Sequence, residues 1–250
     1  MKVLGIESSS LVASVALVTD DILTAEYTVN FKKTHSQTLL PMIDSLMSLL
    51  EMEPSSVDAI AVSGGPGSFT GLRIGSATAK GLGLALKKPL IHVPTLDAMA
   101  YGLFGVSGLI CPIMDARRNQ VYTGIYRFEN EFETVMEQAA MDVGELAARL
   151  NQMGERVIFL GDGVPVYEMQ LTELLTVPFL FAPAHANRQR AASVAALGAV
   201  YFREGKIETA AEHKPDYLRK SQAEREREER ESREKETGKT FRHGCDETAG

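Results

Sequence analysis

Eleven consecutive residues, Ser63-Gly64-Gly65-Pro66-Gly67-Ser68-Phe69-Thr70-Gly71-Leu72-Arg73, set glycines and hydroxyls close together beside a cation. An apolar run over residues 59–62 precedes them, and a helix-length segment over 72–86 follows. A strand that ends in a Gly-rich turn and opens a helix aims several backbone N–H groups at one point. That geometry suits either a phosphate or a tight backbone crossing. The loop is not a Walker A motif, because no Gly-Lys-Ser/Thr follows it. Nor does it complete Gly-x-Gly-x-x-Gly, since Thr70 takes the last place. Two carboxylates also stand out. Glu7 closes the apolar run 3–6, and Asp115 closes the apolar run 109–114. Such a pair can hold a metal–nucleotide, or each carboxylate can cap its own turn.

The elements that must position these groups follow from periodicity. Residues 3–6, 12–18 and 22–31 read as strands, the first two a hairpin around Ser8-Ser9-Ser10. Over 35–51, Leu39, Met42, Ile43, Leu46, Met47 and Leu50 form one apolar helical stripe. Leu40 and Leu49 widen that stripe beyond one core contact. Pro41 requires either a helix that starts near Leu40 or a kink. In the helix after the loop, Gly71, Gly75, Ala79 and Gly83 recur every four residues as a ridge poor in side chains. Glycine costs about 1 kcal/mol against alanine inside a helix, so the ridge implies close approach of another helix or of backbone. Arg73, Lys80 and Lys87, seven apart, make a thin basic edge. Residues 88–94 read as a strand, with Thr95 as the N-cap of the next helix. Gly102, Gly105 and Gly108 mark a joint. His35 and His92 read as a cap and a strand residue.

Beyond the joint the pattern repeats. Residues 109–115 are again an apolar strand ending in a carboxylate, and 121–128 are again a β-rich return arm. A duplicated hairpin implies two related lobes facing a cleft. Helices are predicted over 143–153 and 191–202, a strand over 156–160, and a turn at Gly161-Asp162-Gly163. The fold class is α/β, divided as 1–105 and 106–222, with a last helix that can return to the first lobe. Residues 223–250 form a charged tail, either a solvated helix of i, i+4 acid–base pairs or disordered.

Composition narrows the function classes. A net charge of −7 over 250 residues argues against a stand-alone nucleic-acid binder. Two cysteines, Cys111 and Cys245, supply neither a disulfide framework nor a metal-ligand spacing. The first apolar run is cut by Glu7, and no run approaches the roughly 20 residues of a membrane span. A soluble, cytoplasmic protein is expected.

The Gly-loop segment, extended through Ile74 and Gly75, resembles the signature of the TsaB (YeaZ) family. Four further segments agree in order and spacing: Leu4-Gly5-Ile6-Glu7-Ser8-Ser9; His35-Ser36-Gln37 with Leu39-Leu40-Pro41-Met42-Ile43; Met114-Asp115-Ala116-Arg117; and Pro215-Asp216-Tyr217-Leu218-Arg219. The resemblance implies two ribonuclease-H-like lobes of the acetate kinase, sugar kinase, Hsp70 and actin (ASKHA) type. It implies an accessory role in forming threonylcarbamoyladenosine in tRNA. There a related TsaD subunit transfers the threonylcarbamoyl group from threonylcarbamoyl-adenylate, and a TsaE-like ATPase completes the complex. The catalytic relative carries a His-x-x-x-His metal pair. Here Leu96 stands four residues after His92, so no metal is expected and the scaffold member is indicated.

On this reading no residue is catalytic. Leu39, Met42, Ile43, Leu46, Arg73, Gly75, Ala79 and Gly83 are assigned to the partner interface. Glu7, Gly65, Pro66, Gly67 and Asp115 are a structural loop or the remnant of a nucleotide site. No cofactor is expected, with ATP or ADP held only weakly or at the partner interface. tRNA is reached through the complex, and the chain alone forms a homodimer. The rival readings are an ATP-dependent phosphotransferase using Glu7 and Asp115, and a peptidase.

Overall fold

The chain runs the same course twice. In the computed structural model, which describes residues 1–31 and 34–218, the first passage is β1 (Lys2–Glu7), β2 (Ala13–Thr19), β3 (Ile22–Val29), α1 (His35–Leu49), β4 (Ala59–Gly65), α2 (Phe69–Leu86), β5 (Leu90–Pro94) and α3 (Thr95–Tyr101). The second is β6 (Leu109–Asp115), β7 (Gln120–Phe128), β8 (Phe132–Asp142), α4 (Val143–Met153), β9 (Val157–Leu160), α5 (Val164–Leu174), β10 (Phe179–Phe181) and α6 (Ala191–Arg203). Each passage builds a five-stranded sheet, ordered β3-β2-β1-β4-β5 and β8-β7-β6-β9-β10. In both, the first three strands form an antiparallel meander. The last two then add in parallel beside the first. This is the duplicated ribonuclease-H-like lobe.

Strand alternation divides the core. On one face of the first sheet, Leu4, Ile6, Ile60 and Val62 pack under α1 and α2. On the other, Val3, Ala59, Ala61 and Val93 meet α6. In the second sheet, Leu109, Cys111 and Ile113 pack with α4 and α5, while Ile110, Met114 and Tyr126 meet Leu96, Met99 and Ala100 of α3. The third helix of each passage therefore crosses to the other passage's sheet. The crossing is close because the contact residues are small. A side chain at Gly5 would strike the Ala191 carbonyl and lie 2.9 Å from Ala195 Cβ, and one at Gly198 would lie 2.6 Å from Ala61 Cβ.

Several local expectations are corrected. Helix α1 starts at His35 and carries Pro41 inside it, which excludes the start near Leu40. Thr95 is the first residue of α3, not its cap, and its hydroxyl accepts from the Gly65 N–H at 3.2 Å. Lys80 does not sit on a freely solvated edge: its ammonium donates to the His213 carbonyl at 3.0 Å. Strands β8 and β10 and helix α5 are additional to the elements read from sequence. Among the described residues no helix is long and apolar enough to cross a membrane. The charged tail and Cys245 lie outside the described residues.

Because backbone and Cβ atoms fill the space at Gly5, Gly5→Ala is expected to cost about 1–3 kcal/mol by overpacking. A lowered urea midpoint at unchanged m-value checks this.

Candidate functional site

Strand β4 ends at Gly65, and Ser68 caps α2 by accepting from the Gly71 N–H at 3.3 Å. Between them the chain passes through its own neighbours. Gly64 lies under the His92 ring. Gly65, at φ +121°, lies against the Asp216 carbonyl, a conformation that favours glycine and a contact no side chain survives. Gly67 and Gly71 lie against the carbonyls of Ser9 and Ser8. Donors that could face a phosphate are committed here: the Ser68 N–H donates to the Ser9 carbonyl at 2.6 Å and the Gly65 N–H to Thr95. The Asp216 N–H in turn donates to the Gly64 carbonyl at 2.6 Å.

The carboxylates also serve their own turns. Glu7 is 1 % exposed and accepts from the Ser9 N–H at 2.6 Å. Burial pushes its carboxyl up from the ordinary 4.5 to about 7, with a smaller push from the charge of Asp162. Asp162, at the start of α5, is raised in turn by burial and then by Asp115, and accepts from the Gln189 amide at 3.1 Å. Asp115 accepts from the Arg117 N–H at 2.8 Å and the Tyr167 hydroxyl at 3.1 Å, and pairs with the Arg117 guanidinium at 3.3 Å. Asp162 thus stands between two like charges, repelling Glu7 on one side and repelled by Asp115 on the other. Asp162 is the one sequence reasoning passed over, because Gly161-Asp162-Gly163 reads as an ordinary turn.

Most of the residues assigned to the partner interface lie inward in the structure. Leu39, Ile43 and Leu46 are fully buried against Leu4, Ile6 and Val62 of their own sheet, and Met42 packs at the edge of that core. Gly75 meets the Ser8 hydroxyl, Ala79 is buried, and Gly83 meets Leu90 and the Lys88 carbonyl. The glycine ridge is approached by backbone of the Ser8 turn, by β5 and, at Gly71, by His35 at the start of α1. Arg73 alone of the eight is exposed. Its guanidinium lies over the Phe69 ring at 4.0 Å, and its Nε reaches the Tyr217 hydroxyl at 3.4 Å.

What the two helices leave outward is a different set. Leu40, Leu49 and Leu84 are 53, 70 and 69 % exposed. Ala77, Gly81 and Ala85 lie on the same outward side of α2, and nothing stands within 4 Å of where a Gly81 side chain would begin. Leu40 and Leu49, nine residues apart, are the exposed overflow of the α1 stripe on its two opposite flanks.

A family model described as "TsaD: tRNA N6-adenosine threonylcarbamoyltransferase" matches residues 25–227. Fold and match together define the class: a duplicated-lobe protein of threonylcarbamoyltransferase ancestry. Within that class, the chain is 34 % identical over 227 residues to the tRNA threonylcarbamoyladenosine biosynthesis protein TsaB of Bacillus subtilis, covering 90 % of this chain and 96 % of that one. It is 33 % identical over 167 residues to TsaB of Escherichia coli, covering 65 % and 72 %. The solved structure of YeaZ from Pseudomonas aeruginosa superposes with a TM-score of 0.74 at 27 % identity, covering 87 % of this chain and 99 % of that one. The chain belongs to the TsaB (YeaZ) family.

Glu7 holds its proton more tightly folded than unfolded. The stability this gives is complete below pH 4.5 and is lost as pH rises to about 7. Glu7→Gln, which cannot ionise, is therefore expected to exceed the native chain in stability at pH 8 by on the order of 1–3 kcal/mol and to differ little from it at pH 4.5. Urea denaturation at the two pH values checks the sign.

Proposed function

We propose that this chain acts in the formation of threonylcarbamoyladenosine in tRNA as a non-catalytic subunit, and that the outward faces of α1 and α2 dock a homologous TsaD-like catalytic subunit. Family membership supports the pathway. The observation that carries the docking reading is Gly81. It costs helix stability, and among the described residues nothing outside its own helix backbone stands within 4 Å of where its side chain would begin. Flanked by Ala77, Leu84 and Ala85, it makes a shallow apolar seat into which a partner helix fits by ridge-into-groove packing.

The partner's own lobe descends from the same fold, so a second copy of this chain presents an equivalent face and a homodimer competes for it. tRNA and a TsaE-like ATPase are engaged through the catalytic subunit, in keeping with the net charge of −7. The same role places the protein in the cytoplasm. The phosphotransferase reading is disfavoured because Glu7 and Asp115 are occupied by their own turns and the loop donors by Ser9 and Thr95. Nucleotide, if bound, is held weakly or across the partner interface.

Co-purification with the catalytic homologue, together with the level of modified nucleoside in a complemented knockout, tests the docking. Leu84→Arg and Gly81→Leu are expected to weaken docking at least about tenfold while leaving the urea midpoint nearly unchanged, as for exposed positions at a binding hot spot. Gly75→Leu is expected to unfold the chain instead. Wild-type docking by both outward variants would refute the proposed face.

A further inference from the structure

After α6 the chain turns back along the first sheet. The Leu90 N–H donates to the Glu208 carbonyl and the Glu208 N–H to the Leu90 carbonyl, both at 2.9 Å, a short antiparallel bridge laid on β5. Residues 209–216 then run beside α2 to the Gly loop, held by Lys80 at the His213 carbonyl and by Gly64 at the Asp216 N–H. This course brings three side chains of metal-binding type together from opposite ends of the sequence. His92, Glu208 and His213 each offer one ligand atom, and the three atoms lie within 4.8 Å of one another.

The polar groups in this cluster are incompletely satisfied. The His213 side chain is fully buried, and its Nδ1 faces the Glu208 carboxylate at 2.5 Å. Its Nε2 is buried with no hydrogen-bond partner. The Nε2 of His92 is likewise buried without a hydrogen bond, and the Asp216 carboxylate stands 3.2 Å from it on the solvent side. Buried polar atoms in folded proteins are nearly always paired. Two orphaned imidazole nitrogens beside carboxylates therefore mark a place where something else supplies the bond. A histidine whose other ring nitrogen is held by a carboxylate is the usual arrangement behind a metal ligand, since the carboxylate fixes the ring and raises its basicity. Two imidazoles with one or two carboxylates suit a zinc-type dication better than a hard Mg2+ or Ca2+.

We propose that His92 and His213 bind one Zn2+ ion, with Asp216 at its open side and Glu208 holding the His213 ring through Nδ1, and that this ion staples the segment after α6 to β5 beneath the Gly loop. The expectation that the chain carries no metal rested on the missing His-x-x-x-His spacing. The cluster uses no such spacing, because the fold and not the local sequence assembles it. The site is separate from the Glu7–Asp162–Asp115 group in the cleft. Its role is mechanical: it fixes the backbone that presses on Gly64 and Gly65.

The full-length protein, stripped with a chelator and dialysed, is titrated with ZnCl2 against a chromophoric competitor and, separately, with CoCl2. Tight uptake of one equivalent of Zn2+, a visible Co2+ absorption of four-coordinate type and a raised melting temperature with Zn2+ are expected. Glu208→Gln and His92→Gln, at partly exposed positions, are expected to weaken Zn2+ binding by at least about tenfold. His243 and Cys245, in the tail, are the other closely spaced ligand types in the sequence. His243→Ala/Cys245→Ser is therefore expected to bind as the native chain does. Equal affinity in the native chain and in both single variants, or loss of binding in the tail variant, overturns the site.

Discussion

Backbone pressed on backbone at the end of β4 is the constraint from which much of this molecule follows. The Ser8-Ser9 turn, the Gly64–Gly71 stretch and the segment ending at Asp216 meet with carbonyl oxygens where side chains would otherwise begin. Three chain segments distant in sequence can share so small a volume only if the central one lacks Cβ atoms. The hydrogen bonds Ser68 to Ser9, Gly65 to Thr95 and Asp216 to Gly64 then satisfy the polar groups that the crossing buries. A loop whose composition suits a phosphate has become a clasp between strands, the α3 entry and the end of the folded chain.

Charge in the cleft follows the same logic. Glu7, Asp162 and Asp115 lie near enough to one another for charge on one to raise its neighbour's carboxyl. In this chain their oxygens take Ser9, Gln189, Tyr167 and Arg117 as partners. Burial raises the Glu7 carboxyl from 4.5 to about 7. These carboxyl oxygens hold the turns around them.

Much of the architecture was legible because duplication repeats the same signals. Two apolar strands ending in Glu7 and Asp115, two return arms and the helices at 143–153 and 191–202 stand where periodicity puts them. Strand β8 was hidden because Glu133 and Glu137 interrupt any alternation, and the strand is only partly buried. Helix α5 was hidden behind Gly163 and Pro165, which read as a turn but start the helix. The burial of the residues assigned to the interface was hidden for a different reason. A stripe of leucines and a ridge of glycines say that a helix face is in close contact, but they do not say with what. Leu39, Ile43, Leu46, Gly75 and Gly83 satisfy that contact within the chain. Gly81 differs from Gly75 and Gly83 in lying on the far side of α2, and Leu40 and Leu49 lie on the two flanks of the α1 stripe.

The exchange of third helices governs how the protein can be made. Sheet one is not covered on its inner face until α6, residues Ala191–Arg203, has left the ribosome. Until then Val3, Ala59, Ala61, Ile91 and Val93 form a bare apolar face on a nascent chain whose first half is otherwise complete. Synthesis at roughly 5–20 residues per second leaves that face waiting for seconds. The two halves are therefore not independent folding units in the order of translation, despite their shared ancestry. A fragment ending before α6 would be an aggregating species and not a smaller version of the protein.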